Sequence, residues 1–257
     1  MLHYNLGEGV ESFSTNIPDA IDFPVILPAH QAHTALVRRV PEEMDDITGV
    51  DALITNERGL RIGVKTADCV PILLYDARQK AVAAVHSGWK GTVQNIIAAT
   101  IQRMKEEFST DPADIRAVIG PCIHVDAFEV GDEVYEKFAA MPELKDCGVP
   151  AKRMPPMSVS PLPRVEASPL LVESSTLPVE SSPLPVEGVG EVLGELLKWH
   201  IDLPAVCRIE LLLSGVSADN IEVRPECTWT LHDQFFSARR LGKQFDRQRI
   251  INTIQLL

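Results

Sequence analysis

Apolar positions along the chain follow two rhythms. In Arg61 to Thr66, Val70 to Tyr75 and Ala81 to His86 they form short, nearly continuous runs, which predict three strands. The polar turn Asp76 to Lys80 joins the second and third. After Gly88-Trp89-Lys90-Gly91 the rhythm changes: Val93, Ile96, Ile97, Ile101 and Met104 recur at helical spacing and predict one helix from Thr92 to Phe108 with a single buried stripe. A further strand is expected at Ile115 to Ile119, broken by Gly120-Pro121, where Cys122 is read as buried rather than reactive.

Toward the C-terminus, Trp199 to Asp202 reads as a strand, and Leu203-Pro204 opens a helix that Gly215 ends. Asp202 suits the N-cap, and Pro204 sits where a missing N–H costs nothing. Another short strand is expected at Ile221 to Arg224. Between the two ordered parts, residues 154–188 repeat Pro, Ser, Glu and Val in near-copies such as LPRVEASPL and LLVESSTLP, with too little periodic apolar surface to offset ordering entropy. They are expected to form a flexible insertion in a single domain built from residues 1–153 and 189–257.

The chain has 257 residues and is 45% hydrophobic, enough to fold alone. A formal net charge of -12 speaks against a surface that tracks nucleic-acid phosphates. No run of roughly 18 apolar residues occurs, so no membrane span is expected. Met1 to Val10 lacks a basic region followed by an apolar run, and the five cysteines are irregularly spaced, which fits reduced thiols and a cytoplasmic location.

The sharpest chemical feature is Cys69, at the start of one predicted strand, against His86 at the end of the next. Strands joined by a tight turn are antiparallel neighbours, so the two lie side by side, where a sheet edge meets a loop. A paired thiol and imidazole serve two chemistries: an activated nucleophile, or a site for a soft metal such as zinc. His33 is the candidate third ligand. On a strand, His30 and His33 would face opposite sides, so one of them at most would enter a shared site. Two His and one Cys leave a fourth zinc position open, the pattern of a catalytic site. The turn carrying Lys90, Gly91 and Thr92 precedes a helix and suits an anion. Its plainer reading is a strand-to-helix turn with Trp89 packed in the core. The tail from Phe235 to Arg249 is basic, and Arg239 and Arg240 are candidates for holding an anionic substrate.

Several motifs together resemble a known family. They are QAH at Gln31 to His33, DALIT at Asp51 to Thr55, TADCVPILLYD at Thr66 to Asp76 and AVHSGWKGT at Ala84 to Thr92. The series continues with IGPCI at Ile119 to Ile123, FEVGDEV at Phe128 to Val134, HIDLP at His200 to Pro204, and CTWT with FFSARR up to Arg240. The family is the YfiH-like bacterial proteins once described as multicopper polyphenol oxidases or laccases and now regarded as purine nucleoside phosphorylases with adenosine deaminase activity. The resemblance implies an α+β fold, a compact α/β/β/α sandwich with mixed sheets. It implies zinc on His33, Cys69 and His86, with copper as an adventitious occupant. It also implies phosphorolysis of adenosine, inosine, guanosine or methylthioadenosine and deamination of adenosine, with nucleoside and phosphate as small-molecule partners. The family's Gly-, Ser-, Arg- and Asn-rich stretch before QxH is shortened here, Ser14-Thr15-Asn16 running almost directly into Pro24 to Gln31. Two other readings stand beside this one: a Cys-His hydrolase or amidase acting on a small or peptidoglycan-precursor substrate, and a zinc-containing binding protein without turnover.

Overall fold

Two strands whose residues are buried at every position form the middle of the molecule: β6 (Val70–Asp76) and β7 (Ala81–Ser87). Continuous apolar runs of this kind belong to strands covered on both faces. They lie at the centre of a six-stranded sheet ordered β12 (Ile221–Val223), β8 (Ile115–Ile119), β6, β7, β4 (Ala52–Thr55), β3 (Val37–Arg39). The edge placement expected above is thereby corrected: β8 flanks β6, and β4 flanks β7. The sheet is mixed, its two outermost pairs being parallel and the inner ones antiparallel. The structure, a computed structural model, describes residues 1–17, 19, 21–156, 197–242 and 248–257. The expected insertion lies outside the described residues from 157 onward, as do Lys243 and Arg247 of the basic tail.

One face of the sheet packs under helices. Ile54, Ile72, Leu74, Ala83 and Val85 point into a core shared with α2 (Ile96–Phe108) and α4 (Leu203–Leu213), where Ile97, Ile101, Met104, Val206 and Leu211 are buried. The opposite face, carrying Leu53, Leu73, Tyr75, Val82 and Val118, meets Ile62, Val64, Ile254 and Leu256 of a second sheet. That sheet is antiparallel, in the order β1 (Leu2–His3), β2 (Val10–Ser14), β13 (Ile250–Leu256), β5 (Arg61–Thr66). A third sheet, β10 (Ala151–Met154), β11 (Lys198–Ile201) and β9 (Glu129–Val130), lies beside α3 (Asp132–Ala139). The class is the expected α+β sandwich of one domain with mixed sheets. On the outer side of the four-stranded sheet, the described cover is irregular chain, with Phe23 edge-on to Phe13 at 5.8 Å.

The helix expected from Thr92 to Phe108 is interrupted. A short α1 (Trp89–Val93) precedes α2, and Asn95 between them is left-handed at φ 61°. Asparagine tolerates that conformation better than most residues, and its side-chain amide donates to Glu143 at 2.6 Å. The buried stripe survives the break, with Ile96, Ile97, Ile101 and Met104 all buried. Asp202 caps α4 as expected, accepting from the Ala205 N–H, and Gly215 beyond its end takes φ 97°. Among the described residues no helix is long and apolar enough to cross a membrane.

Candidate metal centre

The β6–β7 register sets Val70 opposite Ser87 and Pro71 opposite His86. Cys69, one residue before β6, therefore reaches the end of β7. Its predecessor Asp68 takes φ 88°, and the Asp68 carboxylate accepts from Thr228 Oγ1 at 2.8 Å and from the Arg239 backbone N–H at 2.6 Å. The turn presenting the thiol is thus tied to the C-terminal part of the chain.

His33 arrives from a loop rather than a strand, with φ 60°. The buried Asp51, just before β4, holds that conformation: its carboxylate accepts from the backbone N–H groups of Ala32, His33 and Thr34 at 3.2, 3.1 and 2.7 Å. The same carboxylate accepts from His86 Nδ1 at 2.7 Å. One side chain thus orients both imidazoles, His33 through its backbone and His86 through its ring. The rings stand edge to face with centroids 4.9 Å apart, and Cys69 Sγ lies 3.8 Å from His33 Nε2. The strand-parity expectation for His30 and His33 does not apply to this loop. Both border one cavity, and His33 is the one that reaches the thiol.

The electrostatics follow from this arrangement. Burial pushes the Cys69 thiol up, but the His86 charge and hydrogen bonds from His33 and His86 more than offset it, lowering the thiol to about 6. Burial disfavours the His86 imidazolium, yet Cys69 and Asp51 together raise that ring to about 9. For Asp51, burial is outweighed by hydrogen bonds from His86 and Thr34, and its carboxyl is held below its ordinary value. Two core thiols behave oppositely: burial pushes Cys122 and Cys207 well up. Cys69 is the thiol poised as a thiolate.

These residues fit a metal ion. Bonds of about 2.3 Å to sulfur and 2.0 Å to nitrogen at tetrahedral angles need ligand atoms roughly 3.5 Å apart, and the ligand atoms of His33, Cys69 and His86 all lie within 4.8 Å of one another. With Nδ1 engaged by Asp51, His86 presents Nε2, the carboxylate–histidine arrangement common behind metal ligands. Gly88 keeps the space open, since a Cβ there would stand 2.7 Å from His33 Cδ2 and 3.0 Å from Cys69 Sγ. Among the described residues this is the one group of three or more such side chains brought together.

The centre opens into a cavity of about 670 Å³, within the usual range of ligand sites of about 300–1,000 Å³. Its further lining includes His30, Gln31, Lys65, Ala238 and Arg249. Lys90, Gly91, Thr92, Arg239 and Arg240 are not part of that lining. Thr92 is buried and bonds to Ser87 Oγ and Gly88 O, Gly91 is buried, and the exposed Lys90 leans over Trp89. Trp89 packs against the core, as the plainer reading of that turn expected. Arg239 lies over Phe128, and Arg240 donates to Thr228 O and borders a separate hollow with Phe235 and Phe236.

Sequence reading gave no role to Asp51, Asp68, Gln31 or Lys65, although each lies in or beside a quoted motif. The Gln31 side chain pairs with the Lys65 backbone, accepting from its N–H and donating to its C=O, both at 2.8 Å. It acts like an added rung on β5 and seats the His33 loop beside that strand. A polar residue two positions before a candidate ligand was the available signal.

The chain is similar to known proteins along most of its length. The family described as multi-copper polyphenol oxidoreductase laccase matches residues 8–158 and 188–256. A purine nucleoside phosphorylase of Bacteroides thetaiotaomicron is 36% identical over 234 residues, spanning 89% of this chain and 71% of that protein. Adenosine deaminase RL5, from an unknown prokaryotic organism, is 35% identical over 232 residues, spanning 86% and 72%. Among solved structures, the hypothetical protein YfiH of Bacillus licheniformis superposes with a TM-score of 0.66 at 25% identity, covering 91% of this chain and 74% of that one. A Neisseria meningitidis protein, at 22% identity, shares the fold with a TM-score of 0.70 and 98% of its chain covered.

Proposed function

Because the chain belongs to the multi-copper polyphenol oxidoreductase laccase family, we propose that it is an enzyme of purine nucleosides working at the His33–Cys69–His86 centre. The reactions are phosphorolysis of a purine nucleoside and deamination of adenosine, after relatives named purine nucleoside phosphorylase and adenosine deaminase, with adenosine, inosine, guanosine and methylthioadenosine as the phosphorolysis substrates that the resemblance implies. The observation that carries the reading is a low-pKa thiol and two imidazoles, one backed by a buried carboxylate, at a cavity sized for a nucleoside.

His33, Cys69 and His86 would hold zinc, which when bound supplies a Lewis acid and lowers the pKa of water. The chain's own part is orientation. Asp51 fixes the His86 tautomer and the His33 loop, Asp68 fixes the Cys69 turn, and Gly88 leaves room for the ligand atoms to converge. The donor set suits one ion rather than several coppers.

The test is to incubate metal-analysed protein with adenosine and with inosine, with and without phosphate, and to separate the products. Free base and ribose 1-phosphate dependent on phosphate, or inosine from adenosine, are expected. Absence of all three from zinc-loaded protein sinks the reading. A second reading rests on the thiol at about 6 beside His86: Cys69 as nucleophile and His86 as its base, in a hydrolase or amidase. Stoichiometric zinc lost on Cys69→Ser favours the first reading, and rapid alkylation of Cys69 in metal-free active protein favours the second.

A further inference from the structure

A third histidine, His30, borders the cavity of the metal centre without belonging to the centre. Its backbone is fixed on both sides. The His30 C=O accepts from the Gly49 N–H at 2.7 Å, His30 bridges to Thr48, and the neighbouring Gln31 is tied to the Lys65 backbone by two hydrogen bonds of 2.8 Å. The side chain is exposed, and its ring has no hydrogen-bond partner among the described residues. Three residues of chain span at most about 11 Å, so His30 stands within reach of a nucleoside-sized molecule held at His33. Other polar side chains of the recess are already committed: His33 and His86 converge with Cys69, and Gln31 is spent on Lys65. A positioned imidazole is the commonest general acid, and this one is free of both the centre and the scaffold. Phosphorolysis calls for such a group, because a purine leaves C1′ poorly as an anion and readily once N7 carries a proton.

We propose that His30 is the general acid for purine phosphorolysis in this cavity, protonating N7 of the leaving base. In that step the C1′–N9 bond breaks and its electron pair passes into the purine ring, N7 takes a proton from the protonated His30 ring, and an oxygen of inorganic phosphate bonds to C1′. The products are the neutral base and ribose 1-phosphate, and His30 regains its proton from solvent. The inference deepens the nucleoside reading of the cavity and rests on it.

The experiment compares two substrates of the full-length, zinc-loaded chain in the presence of phosphate: inosine, and 7-methylinosine, whose base already carries a positive charge and leaves without protonation. The wild type is set beside His30→Gln, His30→Asn and Lys65→Gln, with melting curves and zinc content confirming the fold and centre of each variant. Both His30 variants are expected to lose about 100-fold or more in kcat on inosine, with KM little changed, while turnover of 7-methylinosine stays within about threefold of wild type. A residue that only shapes the cavity would slow both substrates alike. Equal loss on the two substrates, no loss on inosine, or a leaving-group dependence that follows Lys65→Gln in place of His30→Gln overturns the proposal and leaves the nucleoside reading standing. If the wild type cleaves neither nucleoside, the nucleoside reading falls and the role of His30 falls with it.

Discussion

Replacing Asp51 with asparagine exchanges one oxygen for an NH2 group at the point where both imidazoles are oriented. Oδ1 accepts from the His33 N–H and His86 Nδ1, whereas Oδ2 accepts from the N–H groups of Ala32 and Thr34 and from Thr34 Oγ1. An amide nitrogen at Oδ2 would face three donors. At Oδ1 it faces one obligatory donor, the His33 N–H, and a ring nitrogen that can turn acceptor. The introduced amide therefore settles with its NH2 toward His86. Leaving the His33 N–H unpaired costs about 1–3 kcal/mol, and at this chain length about 2–4 °C of Tm accompanies each kcal/mol. The larger effect is chemical: His86 is forced into the tautomer with its proton on Nε2, the atom aimed at Cys69 and His33. Loss of such a backing carboxylate lowers metal affinity by about 10–100-fold. Zinc affinity from competition with a chromophoric chelator, alongside a thermal melt, reads both effects. If Asp51→Asn binds zinc within about twofold of wild type, the orienting role is refuted.

Gly88→Ala should reduce zinc occupancy about tenfold or more while the fold persists, because the backbone at φ -74°, ψ 161° accepts alanine but its Cβ meets His33 and Cys69. Unchanged metal content would show that the cradle has slack. The buried Glu210 carboxyl, without a hydrogen-bond partner among the described residues, is pushed up to about 9 by burial and then by Glu143. Between the ordinary 4.5 and that value the folded state keeps a proton that the unfolded chain has lost, so stability falls as pH rises through this window. Glu210→Met should therefore stabilise by on the order of 3 kcal/mol at pH 8 and by little near pH 5. Urea melts across that range check it, and a pH-independent difference contradicts it. Met104→Ala, at a fully buried point of α2, should cost about 2–5 kcal/mol in the same assay. A cost below that range means the core closes over the gap.

Period and chain adjacency, both local properties, account for what the residues alone disclosed. The unbroken apolar runs of Val70 to Tyr75 and Ala81 to His86 announce strands, and the short turn between them imposes the register that joins Cys69 to His86; that both lie mid-sheet, buried on both faces, came only from the partners β8 and β4. The 3.6-residue spacing of Ile97, Ile101 and Met104 announces the face of α2. The residues offered His33 as a third ligand and the resemblance implied it too, but its pose depends on a carboxylate 18 positions away. The break at Asn95 is held by Glu143, 48 positions on, and no local pattern carries that hydrogen bond. Lys65 meets Arg249 because β13 returns from the chain's end to pair with β5, whereas Lys90, Arg239 and Arg240, basic and beside the right motifs, turn to other partners. Amphipathic period is written residue by residue. Which charges converge on a cavity depends on strands pairing across most of the sequence, and that is settled only when the two sheets close over their shared core.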